Sequence, residues 1–302
     1  MEFTAEFTTN HLGNFNLLIN MLHRAKEAGA TYVKMQKKDV ESFYTYEKLN
    51  SSYRSPYGST YGEYRKIFEF DKNQFDMFDK ECRKIGMPWF TTVQDEISID
   101  FMKDYNIDLF KVASVNSHNQ KFLEKLRDTI SEEKKLVISV AGKTLKQIEE
   151  TVNFFRDYNL YILHCVAEYP CKDLNLRLGN IPILIKNFKT NKIKIGYSGH
   201  EEGIIPSLAA IKLGAQLVER HFAISRDSFV HHIECSLITD EFKDLVEKSK
   251  DNDLDQYIKN LNKEAYKSHF GMTEMEESFL LNSQYGKDFI KDKSKIKWIK
   301  IM

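Results

Sequence analysis

The sequence lacks a net charge, a long apolar run and a leader-like start. Its 44 lysines and arginines balance 44 aspartates and glutamates. This balance argues against a nucleic-acid partner bound through phosphate neutralisation, but it allows a local basic pocket for a small anion. No stretch reaches the roughly 18 apolar residues of a membrane span. The opening "MEFTAEFTTNHLG" has neither the basic nor the apolar region of a secretory signal. We therefore expect a cytoplasmic protein with no membrane or nucleic-acid partner.

Two motifs that would indicate other classes of protein are also missing. The four cysteines, Cys82, Cys165, Cys171 and Cys235, form no C-x-x-C pair. Free thiols in a reducing compartment are therefore expected rather than a disulfide framework. No glycine-rich fingerprint follows an early strand-like run, as an open doubly wound dinucleotide-binding sheet would require.

What the sequence has is a regular alternation of short apolar runs with amphipathic stretches. In the first unit, "EFTAEFT" precedes a stretch in which Leu18, Met21, Leu22 and Ala25 recur at helical spacing, and Gly29 suits the helix end. Eight such units occupy residues 1–250. Strands separated by helices pair in parallel, so eight units predict an α/β fold, a closed (β/α)8 TIM barrel forming one catalytic domain.

Two segments interrupt or follow this pattern. Residues 39–70 lie between the second strand and its helix, and a connection this long in a compact barrel is usually a lid or a substrate loop. Residues 251–302 are a short C-terminal extension of lower periodicity that ends in the β-like "KIKWIKIM". We expect this extension to cap the barrel or to reach a neighbouring subunit.

The active site of such a barrel lies at the carboxyl ends of its strands. We therefore collected the polar residues that end each predicted strand. They are Glu6, Asn10, His11, Lys34, Gln36, Thr91, Thr92, Lys111, Ser114, Ser139, His164, Ser198, His200, Glu219 and His221. A lysine inside a barrel is costly unless an anion pairs with it. Lys34 and Lys111 among so many hydroxyls favour a phosphate cradle, although an internal glutamate is an alternative partner for such a lysine.

His200 and His221 end adjacent strands. Neighbouring strands lie about 4.8 Å apart, so both imidazoles can reach one divalent ion, with further ligands from water, substrate or a carboxylate. His232 follows in a loop, where contact with substrate or solvent is expected. His164 is compatible with either a core or a pocket position. Glu201 is expected at the start of the next helix, where an acidic residue complements the helix dipole.

Seven stretches together resemble one family, the sialic acid synthases (N-acetylneuraminate synthases), over about residues 2–240. They are "AEFTTNHLGN", "AKEAGATYVKMQ", "YGSTYGEYRKIFEF", "FKVASVNSHN", "LHCVAEYP", "IGYSGHEEGI" and "LGAQLVERHF". The resemblance implies a (β/α)8 barrel that condenses phosphoenolpyruvate with an aldose, giving a nonulosonic or similar 2-keto-3-deoxy sugar acid and phosphate. It also implies a divalent metal, manganese or magnesium, and a homodimer.

The resemblance assigns roles to particular residues. His200 and His221 become the metal ligands and Glu6 the acid/base near the aldehyde. Gln36 and Tyr169 become sugar contacts. The phosphoenolpyruvate cradle becomes Lys34, Thr92, Lys111, Ser114, Ser139 and Ser198.

Three departures from the family pattern accompany these matches. The chain is too short for the family's C-terminal antifreeze-like domain, so we expect the lid contact of that domain to be either missing or replaced by residues 251–302. Asn116 and His232 stand where an acidic residue is usual. Both fall on the sugar side, so we expect them to contact an altered acceptor, N-acetylmannosamine-like or a related hexose, with or without a phosphate.

Other functions fit the same barrel. A metal-dependent aldolase of a 2-keto-3-deoxy sugar acid would use pyruvate and release no phosphate, and the cradle of lysines and hydroxyls disfavours it. A degenerate, non-catalytic barrel subunit of a polysaccharide pathway would show decay at the strand-end residues. A plain carbohydrate-binding barrel would have no use for a phosphate cradle.

Overall fold

Eight parallel strands close into a barrel in the computed structural model, which describes residues 1–283. The barrel strands are β1 (Glu2–Glu6), β2 (Tyr32–Lys37), β3 (Trp89–Val93), β4 (Leu109–Val112), β5 (Lys135–Ser139), β6 (Asn159–His164), β7 (Ile193–Gly199) and β8 (Leu217–Ala223). Each strand pairs with the next along the chain, and β8 pairs with β1 in parallel from Glu2 opposite Leu217 to Glu6 opposite His221. The predicted (β/α)8 barrel is confirmed.

One main helix follows each barrel strand and covers the outside of the sheet. These helices are α1 (Phe15–Glu27), α2 (Lys72–Ile85), α3 (Glu96–Met102), α4 (Gln120–Thr129), α5 (Leu145–Phe154), α6 (Asn180–Phe188), α7 (Ile205–Lys212) and α8 (Thr239–Lys248). In α1, the four residues predicted at helical spacing are all buried, which confirms that face. Asn14 caps its start through the Leu17 N–H, and Gly29, at φ +87°, turns the chain after its end.

The segment between β2 and α2 has a fold of its own. It contains short helices at Val40–Phe43, Tyr46–Leu49 and Tyr61–Lys66 and a hairpin of Ser52–Ser55 with Gly58–Thr60. Its tyrosines pack on one another, with ring centroids 4.5 Å apart for Tyr53 and Tyr64. We call residues 39–70 the insertion. Aromatic packing gives it a defined shape over the mouth of the barrel.

The described part of the C-terminal extension also packs at the carboxyl ends of the strands. It contains helices at Asp255–Ile258 and Glu274–Leu281 and a 3₁₀ turn at Lys263–Tyr266. The Gly271 N–H donates to the Lys143 carbonyl, and Glu276 lies 3.7 Å from Arg177, so the extension contacts loops that follow β5 and β6. Ser283 forms a bridge with Tyr44 of the insertion. The β-like run at 295–302 lies outside the described residues, and the domain boundary at residue 250 stays a prediction.

All four cysteines are buried free thiols. No helix within residues 1–283 is long and apolar enough to cross a membrane.

Candidate active site

Strand register brings the predicted strand-end residues together inside the barrel. Alternate residues of a strand face the same side, so Glu219 and His221 of β8 share the interior face. Ser198 of β7 lies opposite Glu219, and Glu6 of β1 lies opposite both His221 and Lys34. Positions far apart in sequence therefore become neighbours at one end of the barrel.

Lys34 and Lys111 meet at one carboxylate, Glu219. The Lys34 Nζ lies 3.0 Å from the Glu219 Oε1 and 3.0 Å from the Glu6 Oε2, and it donates to the Thr92 hydroxyl. The Lys111 ammonium binds the same Glu219 oxygen. The internal glutamate considered from the sequence as a partner for one lysine is therefore present for both. Sequence reasoning gathered Glu219 as a strand-end residue but gave it no role.

This buried network shifts the pKa values of its two carboxyl groups, Glu219 and Glu6, in opposite directions. Burial acts to raise the pKa of Glu219, but Lys111 and Lys34 overcome it and lower that pKa to about 2. Burial raises the pKa of Glu6 despite the opposing effect of Lys34. Glu219 is therefore the ionised carboxylate that holds the lysines, and Glu6 is the carboxyl better able to carry a proton.

The two predicted metal ligands, His200 and His221, lie beside this network. The His200 and His221 rings are buried with centroids 5.4 Å apart. The His200 Nδ1 lies 2.7 Å from the Val166 carbonyl, which assigns a proton to Nδ1 and leaves the Nε2 lone pair available to a metal. Burial lowers the pKa of His200 to about 4, so the ring is neutral at pH 7, the form that binds a metal.

These donors fit a divalent ion whose remaining ligands come from water and substrate. Within residues 1–283 there is no group of three or more histidine, cysteine, aspartate or glutamate side chains placed to hold a metal. Two neutral imidazoles at this spacing leave coordination positions for oxygen ligands, as catalytic sites require.

A cavity of about 190 Å³ opens above the histidines. Five of the predicted residues line it: Gln36, Ser114, Tyr169, His221 and His232. The Tyr169 ring lies between His200 and His232, with centroids 4.2 and 4.1 Å away. Residues of the insertion and Asn282 of the extension line the opposite part. Sequence reasoning missed Lys38 and Arg65 there, although the length of the insertion already indicated a functional loop.

Several other predicted residues, among them Glu6, Asn116, Ser139 and His164, are absent from the lining formed by described residues. The Gln36 amide donates to the Glu6 Oε1 at 2.6 Å, so Gln36 stands between Glu6 and the cavity. The Asn116 amide donates to the Gln94 carbonyl at 2.7 Å, and Asn116 is absent from the lining formed by described residues. Ser139 ends β5 as a buried residue. His164, left open by the sequence, is buried and bonded to the Leu176 carbonyl.

Glu201 differs from its expected place at a helix start. Helix α7 begins later, at Ile205, and the Glu201 carboxylate is buried 2.9 Å from the Arg220 guanidinium. Tyr197 and Ser207 each donate a hydroxyl hydrogen bond of 2.8 Å to it. The helix-dipole interpretation was wrong because a fully buried arginine, invisible as such in the sequence, takes the carboxylate into the core.

Replacing Glu201 with alanine is expected to lower the free energy of unfolding by about 3–5 kcal/mol, because Arg220 would keep a buried charge without its partner. Chemical denaturation monitored by circular dichroism measures this. Glu202→Ala is the matched control, since Glu202 is exposed, and it should leave the unfolding midpoint unchanged. Equal midpoints for the two variants would contradict the prediction.

Known proteins share both sequence and structure with this chain. Residues 21–257 match the NeuB family. Over 250 residues the chain is 35% identical to N-acetylneuraminate-9-phosphate synthase of Drosophila melanogaster, covering 80% of this chain and 65% of that protein. It is 28% identical to N,N'-diacetyllegionaminic acid synthase of Campylobacter jejuni, covering 79% and 72%. The crystal structure of N-acetylneuraminic acid synthetase from Leptospira borgpetersenii superposes with a TM-score of 0.71 at 26% identity, covering 82% of each chain. The chain thus spans less than two thirds of the Drosophila protein's length.

Proposed function

The chain belongs to the NeuB family, and from that membership we propose that it condenses phosphoenolpyruvate with an aldose to give a nonulosonic or related 2-keto-3-deoxy sugar acid and phosphate. The observation that carries the proposal is the meeting of Lys34 and Lys111 at Glu219, in the same barrel mouth as the His200–His221 pair. Family membership also confirms the resemblance seen in the sequence.

The lysines are proposed to hold the substrate anion. Phosphoenolpyruvate carries a phosphate and a carboxylate, and ammonium groups bind both through charge-assisted hydrogen bonds. Lys34 and Lys111 both bind Glu219, so the network brings two ammonium groups to one point, an arrangement that favours an anion. The proposed hydroxyl donors to this anion are Thr92, Ser114, Ser139 and Ser198.

The proposed reaction forms one carbon–carbon bond and one carbon–oxygen bond from water, and it breaks the carbon–oxygen bond to phosphate, after which the new C2 hydroxyl loses its proton to give the ketone. C3 of phosphoenolpyruvate attacks the aldehyde carbon, and the aldehyde oxygen takes up a proton. The Glu6 carboxyl is proposed to donate that proton. Gln36 lies between Glu6 and the cavity, and its amide donates a hydrogen bond to the Glu6 carboxyl group. Water adds at C2, and the resulting tetrahedral carbon expels phosphate toward the lysines. A divalent ion on His200 and His221 would polarise the aldehyde as a Lewis acid.

Cavity residues above this centre are proposed to contact the sugar. Tyr169, Gln36 and His232 line the cavity beside the histidine pair. The insertion and the C-terminal extension lie over the same mouth, and their cover would limit the access of bulk water during the reaction. The sugar contact of Asn116, the homodimer, the cytoplasmic location and the choice between manganese and magnesium stay predictions.

Phosphate release from phosphoenolpyruvate is the direct test. We expect the purified chain, supplied with Mn²⁺ or Mg²⁺, to release phosphate only when an acceptor from a panel of aldoses and aldose phosphates is present. A chelator should abolish the release because both imidazoles are proposed as metal ligands. A colorimetric phosphate assay with mass spectrometry of the sugar acid measures both products.

Two outcomes would contradict the proposal. Formation of the sugar acid from pyruvate, without phosphate release, would indicate the aldolase. No turnover with any acceptor, from folded protein shown to bind Mn²⁺, would favour the non-catalytic barrel.

A further inference from the structure

The loop that follows β6 contacts His200 at three points. The His200 Nδ1 lies 2.7 Å from the Val166 carbonyl, and the Cys171 N–H donates to the His200 carbonyl at 2.8 Å. The Tyr169 ring packs on the imidazole with centroids 4.2 Å apart. Residues 165–171, which the structure describes throughout, form neither helix nor strand. The backbone groups of this loop therefore depend on partners from elsewhere in the chain.

One of these partners comes from the C-terminal extension. Glu276 lies in the helix Glu274–Leu281, and its Oε1 accepts a hydrogen bond of 3.3 Å from the Ala167 N–H. That N–H belongs to the same peptide group as the Val166 carbonyl. The group is planar and trans, so its N–H and its carbonyl point in opposite directions. Glu276 and His200 therefore bind one peptide group from opposite sides.

The Glu276 carboxylate is held for this contact by its own helix. Its Oε2 accepts from the Thr273 N–H at 2.9 Å and from the Thr273 hydroxyl at 3.1 Å. The residue is only 4% exposed. Arg177 adds a longer ion pair, at 3.7 Å from Oε2, while its guanidinium donates to the Gly271 carbonyl at 3.2 Å. Oε2 therefore serves mainly to fix the carboxylate within the extension, and Oε1 contacts the barrel loop.

The result is a chain of hydrogen bonds from a carboxylate to a proposed metal ligand. Linked hydrogen bonds polarise one another, so a carboxylate that accepts from the Ala167 N–H makes the Val166 carbonyl a stronger acceptor. A stronger acceptor keeps the proton on the His200 Nδ1 and leaves the Nε2 lone pair available to a metal. In many metal sites a carboxylate binds the ligating histidine directly for this purpose. Here a peptide group lies between the two.

We propose that Glu276 is a positioning residue of the metal site: through the Val166–Ala167 peptide it fixes the His200 ring in the tautomer and orientation that bind the ion. This inference rests on the proposed metal role of His200. It gives the C-terminal extension a part in the reaction that is separate from covering the mouth of the barrel.

Mn²⁺ binding to the full chain tests this role without any need for turnover. Glu276→Ala is expected to weaken Mn²⁺ binding about 10- to 100-fold, the usual cost of removing a partner of a metal ligand. Electron paramagnetic resonance of free Mn²⁺ measures the affinity. Glu276→Gln keeps an oxygen that can accept from the Ala167 N–H and should recover most of the loss. Glu274→Ala, at an exposed position of the same helix, is the matched control and should bind like wild type. Met272 and Leu280, 3% and 2% exposed, should keep the extension docked in each variant.

A spectroscopic readout separates positioning from simple docking of the extension. Nuclear magnetic resonance of the metal-free chain with ¹⁵N-labelled histidine reports the His200 Nδ1–H, which is assigned by its absence from His200→Ala. We expect this proton resonance to move upfield in Glu276→Ala, because its hydrogen bond to Val166 weakens, and to stay near the wild-type position in Glu276→Gln. A carboxylate that only docked the extension through Arg177 would give the same result in both variants.

The outcomes distinguish this inference from the proposed condensation. Unchanged Mn²⁺ affinity in Glu276→Ala, an unmoved His200 resonance, or equal losses in Glu276→Ala and Glu276→Gln would overturn the inference and leave the condensation standing. Mn²⁺ binding that Glu276→Ala weakens, in a chain that releases no phosphate with any acceptor, would keep the positioning role and reject the condensation. No Mn²⁺ binding to the wild-type chain would reject the metal role of His200 and this inference with it.

Discussion

Glu219→Gln is expected to lower the free energy of unfolding by about 3–5 kcal/mol, because Lys34 and Lys111 would lose the carboxylate that compensates both. The same change should lower phosphate release by about 100- to 1,000-fold. That is the cost of disturbing one element of a preorganised anion site. No nearby carboxylate replaces Glu219, since Glu6 reaches Lys34 but is the group whose pKa burial raises. The barrel would hold two ammonium groups around an uncharged amide.

Denaturant unfolding and the phosphate assay measure the two effects separately. Glu202→Gln, which makes the same chemical change at an exposed position, should alter neither. The double variant Glu219→Gln/Lys111→Met is expected to be more stable than the sum of its single changes allows, because it removes the two charges together. Full stability in Glu219→Gln would show that the lysines do not depend on this carboxylate.

The fold was predictable because each unit of the barrel carries its own local signal. In α1, one apolar face and a following glycine define the helix without help from the rest of the chain. The strict alternation of strand and helix then left few topologies, because parallel strands joined by helices form either a closed barrel or an open sheet. The insertion could be recognised only as an interruption, because its hairpin and short helices depend on contacts among tyrosines that no periodicity records.

Candidate site residues were predictable to the extent that strand register alone positions them. Glu6, Lys34 and His221 meet because parallel pairing places them opposite one another. Partners chosen by packing were not predictable. Lys34 and Glu219 lie 185 positions apart in sequence, and nothing local tells which carboxylate a buried lysine meets.

The positions of Glu201 and Arg65 show the same limit. Glu201 follows β7 in a place where a helix start was reasonable, and only the buried Arg220 explains why it turns inward. Arg65 lies in a short helix of the insertion, and it lines the cavity only because that helix packs beside His231. Side chains whose environment is made by distant segments require the folded chain.

Substitution of either His200 or His221 is expected to have the second large effect, a loss of both metal binding and phosphate release. His200→Ala and His221→Ala should each weaken Mn²⁺ binding at least about 100-fold, since loss of a supporting contact alone costs about 10- to 100-fold in metal affinity. Metal-dependent phosphate release should fall by at least about 1,000-fold with it. Electron paramagnetic resonance of free Mn²⁺ gives the affinity without any need for turnover. His23→Ala, on the outer face of α1 and 43% exposed, is the matched control and should change neither quantity.

The two readouts together decide what the pair does. If both fall in both variants, His200 and His221 act as ligands of one ion. If Mn²⁺ binding survives while phosphate release is lost, the ion is held elsewhere and the neutral rings, one of them fixed by the Val166 carbonyl, would bind substrate oxygen atoms instead. Equal activity in His200→Ala and wild type would remove the pair from the reaction, and the condensation would then have to rest on Glu6 and the buried lysines alone.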